Sequence, residues 1–143
     1  MRRFWKNRRG YVLAYTAILI GTIAIPMLIL SVEIGRALYV EVQLQAAVDA
    51  ACEAAAQAVD VPFFINNGVL QIEPGTAAAN AQREFDATVI YHGISSYNPS
   101  LGISLLTATL VQCSSSATMT WLLPGIPALA LHANTLSIEK VTL

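Results

Sequence analysis

Charge is what this sequence has least of. Asp, Glu, Lys and Arg make up 12% of its 143 residues, about half the share of an ordinary soluble domain. Set against 55% hydrophobic residues, that shortage argues against a free-standing soluble enzyme and against a disordered tail. Metal patterns are missing too. Neither H-E-x-x-H nor C-x-x-C occurs, and His92 and His132 have no ligand neighbour at a metal spacing. No glycine-rich phosphate loop is present, and Gly102-x-Ser104 lacks the closing glycine of a nucleophile elbow because Leu106 stands there. The nine carboxylates are scattered, with no pair suited to acid–base work. The expectation is a non-enzyme with no metal and no cofactor. Basic residues are scarce outside one cluster: Arg2, Arg3, Lys6, Arg8 and Arg9 are five of the eight. From Gly10 onward Arg36, Arg83 and Lys140 face nine acids, a net of −6. An acidic body with a short basic terminus gives nucleic-acid phosphates no footprint.

What the sequence has instead is a long apolar run. Tyr11 to Val32 reads YVLAYTAILIGTIAIPMLILSV, 22 positions without a charged side chain. As a helix it spans about 33 Å, enough to cross a hydrocarbon core of roughly 30 Å. Thr16, Thr22 and Ser31 can return their hydroxyls to the helix's own carbonyls. Gly21 and Pro26 are tolerated in membrane helices, with Pro26 a source of a kink. The five basic residues before the run, against Arg36 just after it, place the N-terminus in the cytoplasm and the rest outside. Phe4, Trp5, Tyr11 and Tyr15 fit an interfacial aromatic belt. The run is longer than a usual signal-peptide core and has no A-x-A-like site before Glu33, which favours a retained anchor.

Beyond the run, Glu33 to Val59 contains nine alanines and no proline, so helix continues. Val40, Leu44, Ala47, Val48, Ala51, Ala55 and Ala58 form an apolar stripe, and Glu41, Gln45, Asp49, Glu53 and Gln57 a polar face. One helix from about Phe4 to about Val59 is predicted, stopped at Asp60-Val61-Pro62. Its small-residue face suits close approach by another helix, or it lies on the chain's own C-terminal domain. Asn67-Gly68 predicts a hairpin turn. A second helix follows Pro74-Gly75, with Thr76 as N-cap, Ala78, Ala81, Phe85, Val89 and His92 on one face and Gly93 at its close. Residues 103–112, 117–122 and 135–142 read as an antiparallel sheet, with Ser114-Ser115-Ser116 as a turn and Pro124-Gly125-Ile126-Pro127 as a longer excursion. Cys52 and Cys113 would share an oxidising compartment. They either staple the helix to the domain, contributing about 4–5 kcal/mol in the chain-entropy model, or pack as free thiols.

Arg9-Gly10, the apolar span, Glu33-x-Gly35-Arg36-x-Leu38-Tyr39 and Leu44-Gln45-Ala46-Ala47-x-Asp49-Ala50-Ala51 together resemble the TadE/TadG-like proteins of tight-adherence (Tad, Flp-type) pili. In that family the span is commonly followed by a Gly-Arg-Leu-Tyr stretch and a Leu-Gln-x-Ala-x-Asp-Ala-Ala-rich helix. The resemblance covers about residues 9–58 and implies a pilin-like protein: a filament subunit, a minor subunit or an assembly factor. Class III signal peptides place a glycine before the cut and a glutamate five residues after it. Gly10 is present here, but Tyr15 occupies the second position. Either Gly10 is not a cleavage site or the register between subunits is set differently.

The sequence reading is therefore an α+β chain in four parts: a basic cytoplasmic N-terminus (1–10), a transmembrane or filament-core helix (11–32), its alanine-rich extension (33–59) and a small exported head (60–143). Gly21, Pro26, Gly35, Ala47 and Ala51 are the expected helix-packing positions. The expected partners are copies of the chain or other pilins, with the inner membrane as host before assembly and an extracellular filament afterwards. The alternative is a membrane-anchored pilus assembly or accessory protein.

Overall fold

A computed structural model describes residues 8–122 and 125–138. It begins with α1, a single helix of 49 residues from Arg8 to Ala56, about 73 Å long at helical rise. Pro26 sits inside it, where the missing N–H leaves the Thr22 carbonyl without its intrahelical donor. The hydroxyls fold back as expected. Thr16 donates to the Val12 carbonyl at 2.8 Å, Thr22 to Ile18 at 2.9 Å, and Ser31 to Met27 at 2.9 Å. None of these three hydroxyls then faces hydrocarbon unpaired.

After α1 come α2 (Val61–Asn67) and α3 (Pro74–Tyr91), a 3-10 turn at Ser95–Tyr97, and strands β1 (Ser100–Thr107), β2 (Leu110–Met119) and β3 (Leu129–Ile138). The strands form one antiparallel sheet in the order β1-β2-β3. The architecture is α+β: α3 and one face of the sheet clasp the C-terminal half of α1. The core combines Val40, Leu44, Ala47, Val48, Ala51, Cys52 and Ala55 of α1 with Ala77, Ala81, Phe85 and Val89 of α3 and Val111, Cys113 and Ala117 of β2. Facing alanines on α1 and α3 let the backbones approach closely, and Phe85, 1% exposed, is the largest side chain in that core.

Several local expectations are corrected. Asn67-Gly68 does not turn a hairpin; it ends α2. Asp60 caps that helix by accepting from the Phe63 N–H at 2.9 Å, Pro62 fits its first turn, and Gly68 closes it at φ +68°. Pro62 thus starts a helix as well as following the end of α1. Between them Val59 bridges Ile72. In α3 the N-cap is Glu73, not Thr76, because Pro74 takes the first helical position. Ala77, not Ala78, faces the core with Ala81, Phe85 and Val89, and His92 is the C-cap. Gly93, at φ +68°, does close the helix.

The strands lie several residues from their expected places. Residues 103–112 span the β1–β2 hairpin, and Ser114-Ser115-Ser116 runs through the middle of the central strand. Serine survives there because each hydroxyl finds a partner across the strands. Ser115 faces inward and donates to the Ser100 carbonyl at 2.7 Å, and Ser116 pairs with the Ser100 hydroxyl at 2.9 Å. The expected third strand at 135–142 belongs to β3, which starts at Leu129; residues 139–142 lie outside the described residues, as do Leu123 and Pro124 of the excursion.

Candidate functional site

The feature that α1 presents to its surroundings changes twice along its length. From Gly10 to Val32 the helix is largely uncovered, and Tyr11, Leu13, Tyr15, Ile18, Met27 and Leu28 are all more than 60% exposed. By length and composition this segment can cross a membrane. From Leu44 to Ala56 the apolar stripe is buried in the head. Between them lies a neck, Glu33 to Val42, covered on one side only.

The neck is held by polar contacts from the loop after α3. Glu33 is fully buried and its Oε1 accepts from Arg36 Nη1 at 2.8 Å. Arg36 also donates from Nη2 to the Tyr97 hydroxyl at 3.3 Å, and the Tyr39 hydroxyl donates to the His92 carbonyl at 3.3 Å. Its hydrogen bond to Tyr97 first, and that to Glu33 after it, hold the Arg36 guanidinium above its ordinary value against partial burial. The sequence suggests an exposed Glu33–Arg36 pair worth a few tenths of a kcal/mol. The structure corrects this, since the carboxylate is enclosed by the head.

On the other side of the neck the helix is bare and apolar. Ile34, Leu38 and Val42 repeat every four residues, point away from the head and are 48–63% exposed. Ala46 continues the stripe before Asp49 and Glu53 turn that face acidic. Gly35 lies on this face with nothing within 4 Å of the place a Cβ would take. The same openness holds at Gly21, and Pro26 is exposed. Ala47 and Ala51 are different: both are 0% exposed in the head's own core. The helix they pack beside is α3 of the same chain, which removes them from any surface offered to a second rod. Cys52 and Cys113 are joined in a disulfide with Cα atoms 5.6 Å apart, and this bond ties α1 to β2. Arg2, Arg3, Lys6, Phe4 and Trp5 lie outside the described residues, as do the side chains of Arg8 and Arg9.

Residues 10–58 match the family described as "Putative Flp pilus-assembly TadE/G-like". Over α1 the chain is similar to TadE/G-like proteins. The matched segment is about a third of the chain and ends two residues past the helix. No curated protein and no solved structure matches the sequence. The matched segment thus holds the bare rod, the neck and the docked stripe together, whereas the sheet lies outside the match. The match supports a pilus-related role, and the length and apolar composition of α1 fit a membrane anchor.

Sequence reasoning did not single out Ile34, Leu38 and Val42 as a surface, although their spacing of four is legible. It also missed Tyr97 and His92 as holders of the neck. No local signal announces a contact between residues 53 to 61 positions apart. On the outer face of the sheet Ser100, Gly102, Ser114, Ser116, His132 and Asn134 line a shallow open groove of about 360 Å³. Among the described residues no group of three His, Cys, Asp or Glu side chains is arranged to hold a metal.

Proposed function

We propose that the protein is a pilin-like structural subunit of a Tad-type extracellular filament. It is inserted in the inner membrane with its N-terminus in the cytoplasm and is then assembled through α1. The observation that carries this reading is the length of the uncovered apolar face. From Tyr11 to Val42 it runs about 47 Å at helical rise, against a hydrocarbon core of roughly 30 Å. Lipid covers the span; it leaves Ile34, Leu38 and Val42 in water beside the head. Neighbouring α1 rods would cover both parts, with the Gly35 notch admitting a close approach. Bilayer and filament core then serve the same rod in turn, because both withdraw the same surface from water. The role is mechanical, with no catalytic group assigned.

The test is to shear cells carrying Leu38→Gln with Val42→Gln, and separately Gly35→Leu. The expected result is loss of the protein from the sheared high-molecular-weight fraction while it still inserts in membranes. Undiminished filaments in both variants would refute packing at this face. The second reading, a membrane-anchored assembly or accessory protein, is favoured by Tyr15 standing where a class III pilin carries glutamate. It predicts that the wild-type chain stays with the membranes after shearing.

A further inference from the structure

The pole of the head from which α1 departs carries a second apolar surface, separate from the rod. The connections place three segments there. The loop 92–98 lies against the neck through the Arg36–Tyr97 and Tyr39–His92 contacts. β1 starts at Ser100, immediately after that loop, and Ser100 pairs with Ser116, which pairs with His132. The end of β2 at Met119 and the start of β3 at Leu129 are therefore at this pole, and so are the described residues between them. Beside the exposed Ser95, Ser96, Asn98 and Thr120 the pole carries large apolar and aromatic side chains: Tyr91 is 83% exposed, Ile90 71%, Leu122 68% and Ile126 42%. Trp121 is half-buried beside them.

Charge is sparse on this surface. Between Ala87 and Ile138 the chain has no Asp, Glu, Lys or Arg. The acid of the adjoining neck, Glu33, is buried and paired with Arg36. The next acid along α1, Glu41, stands about 12 Å further from the span. Of the head's other described acids, Asp49, Glu53, Asp60, Glu73 and Glu84 lie further along α1, α2's cap and α3, and exposed Asp86 stands one helical turn before Ile90.

We infer that this pole is a membrane-seating surface: Trp121, Leu122, Ile126, Ile90 and Tyr91 rest in the headgroup layer of the bilayer that α1 crosses. The occupant is lipid because the surface is continuous with the apolar span where Val32 gives way to Glu33. Trp and Tyr beside aliphatic side chains is the composition of a membrane interface. Arg36, partly exposed at the same level, is positioned for lipid phosphate. The inference rests on the anchoring part of the proposed function and not on filament assembly. The head would lie on the membrane before assembly, and leaving the bilayer would require both the rod and this seat to be withdrawn.

The experiment uses the full chain with Trp5→Phe, leaving Trp121 as the single tryptophan, in phosphatidylcholine vesicles brominated near the top of the acyl chains. Trp121 emission is expected to be blue-shifted and quenched by the brominated lipid at every protein-to-lipid ratio. Adding Leu122→Asp and Ile126→Asp should red-shift it and abolish the quenching. A companion chain with Trp5→Phe, Trp121→Phe and a tryptophan placed at Leu19 reports insertion of the span. Quenching at Leu19 without quenching at Trp121 overturns the seat and leaves the anchor standing. No quenching at either overturns both. Quenching of Trp121 that vanishes on dilution in lipid assigns the surface to a second copy and likewise overturns the inference.

Discussion

The Cys52–Cys113 bond is the contact most open to a quantitative challenge, because its effect depends on loop length more than on local detail. The two cysteines are 61 residues apart, and a loop of that size gives about 4 kcal/mol in the chain-entropy model. The loop encloses α2, all of α3 and β1, so without the bond α1 is held to the sheet by packing and by the neck contacts alone. The perturbation is to unfold the full chain in detergent with urea, once oxidised and once refolded in reductant with the thiols then blocked. Reductant added to the native state is the wrong trial, since both sulfurs are fully buried. With a urea m-value of roughly 1–2 kcal/mol/M, the reduced head should unfold at about 2–4 M lower urea, read from Trp121 fluorescence. The double variant Cys52→Ala, Cys113→Ala should fall in the same range. A midpoint unchanged between oxidised and reduced chains would refute the argument that this bond, and not the alanine interface, fastens the helix to the head.

Three further outcomes follow from the geometry. Phe85→Ala leaves a cavity between α1, α3 and the sheet and should cost about 3–5 kcal/mol in the same urea assay; a loss below about 1 kcal/mol would mean that the core closes around the gap. Arg36→Gln strands the enclosed Glu33 carboxylate, whereas Glu33→Gln removes the charge itself. The first should cost about 2 kcal/mol, less than for a wholly buried pair because Arg36 is 36% exposed, and the second distinctly less; the reverse order would refute burial of Glu33. Gly68→Val forces a β-branched residue into the left-handed region at φ +68° and should cost about 1–2 kcal/mol, read as loss of helicity and a lower urea midpoint.

How much of this was legible in the sequence depends on the range over which each signal acts. The apolar run, its return of hydroxyls to the helix, the alanine stripe from Val40 to Ala58 and the face of α3 through Ala81, Phe85 and Val89 are set by neighbours three and four residues away. They could be read directly. Strand limits could not, because Ser114-Ser115-Ser116 has turn composition and becomes the central strand only when the Ser100 and Gly102 carbonyls and the Ser100 hydroxyl of β1 meet it. Asn67-Gly68 has a hairpin's residues and a helix's cap, and Asp60 with Pro62 decides between them. The packing sites divide in the same way. Gly35 and Ala47 look alike as small residues on one helix, yet one is open and the other enclosed.

By itself, then, the sequence determined that there is an apolar rod, that it continues as one helix and that a small α+β head follows. These are consequences of composition and short-range periodicity, which any backbone must obey. Only the tertiary structure decided which face of the rod remains bare. α3 and the sheet cover the stripe through Leu44, Ala47 and Ala51, and the loop at Tyr97 closes over Glu33. That leaves Ile34, Leu38 and Val42 outside, because a helix has one face for its own head and another for what lies beyond it.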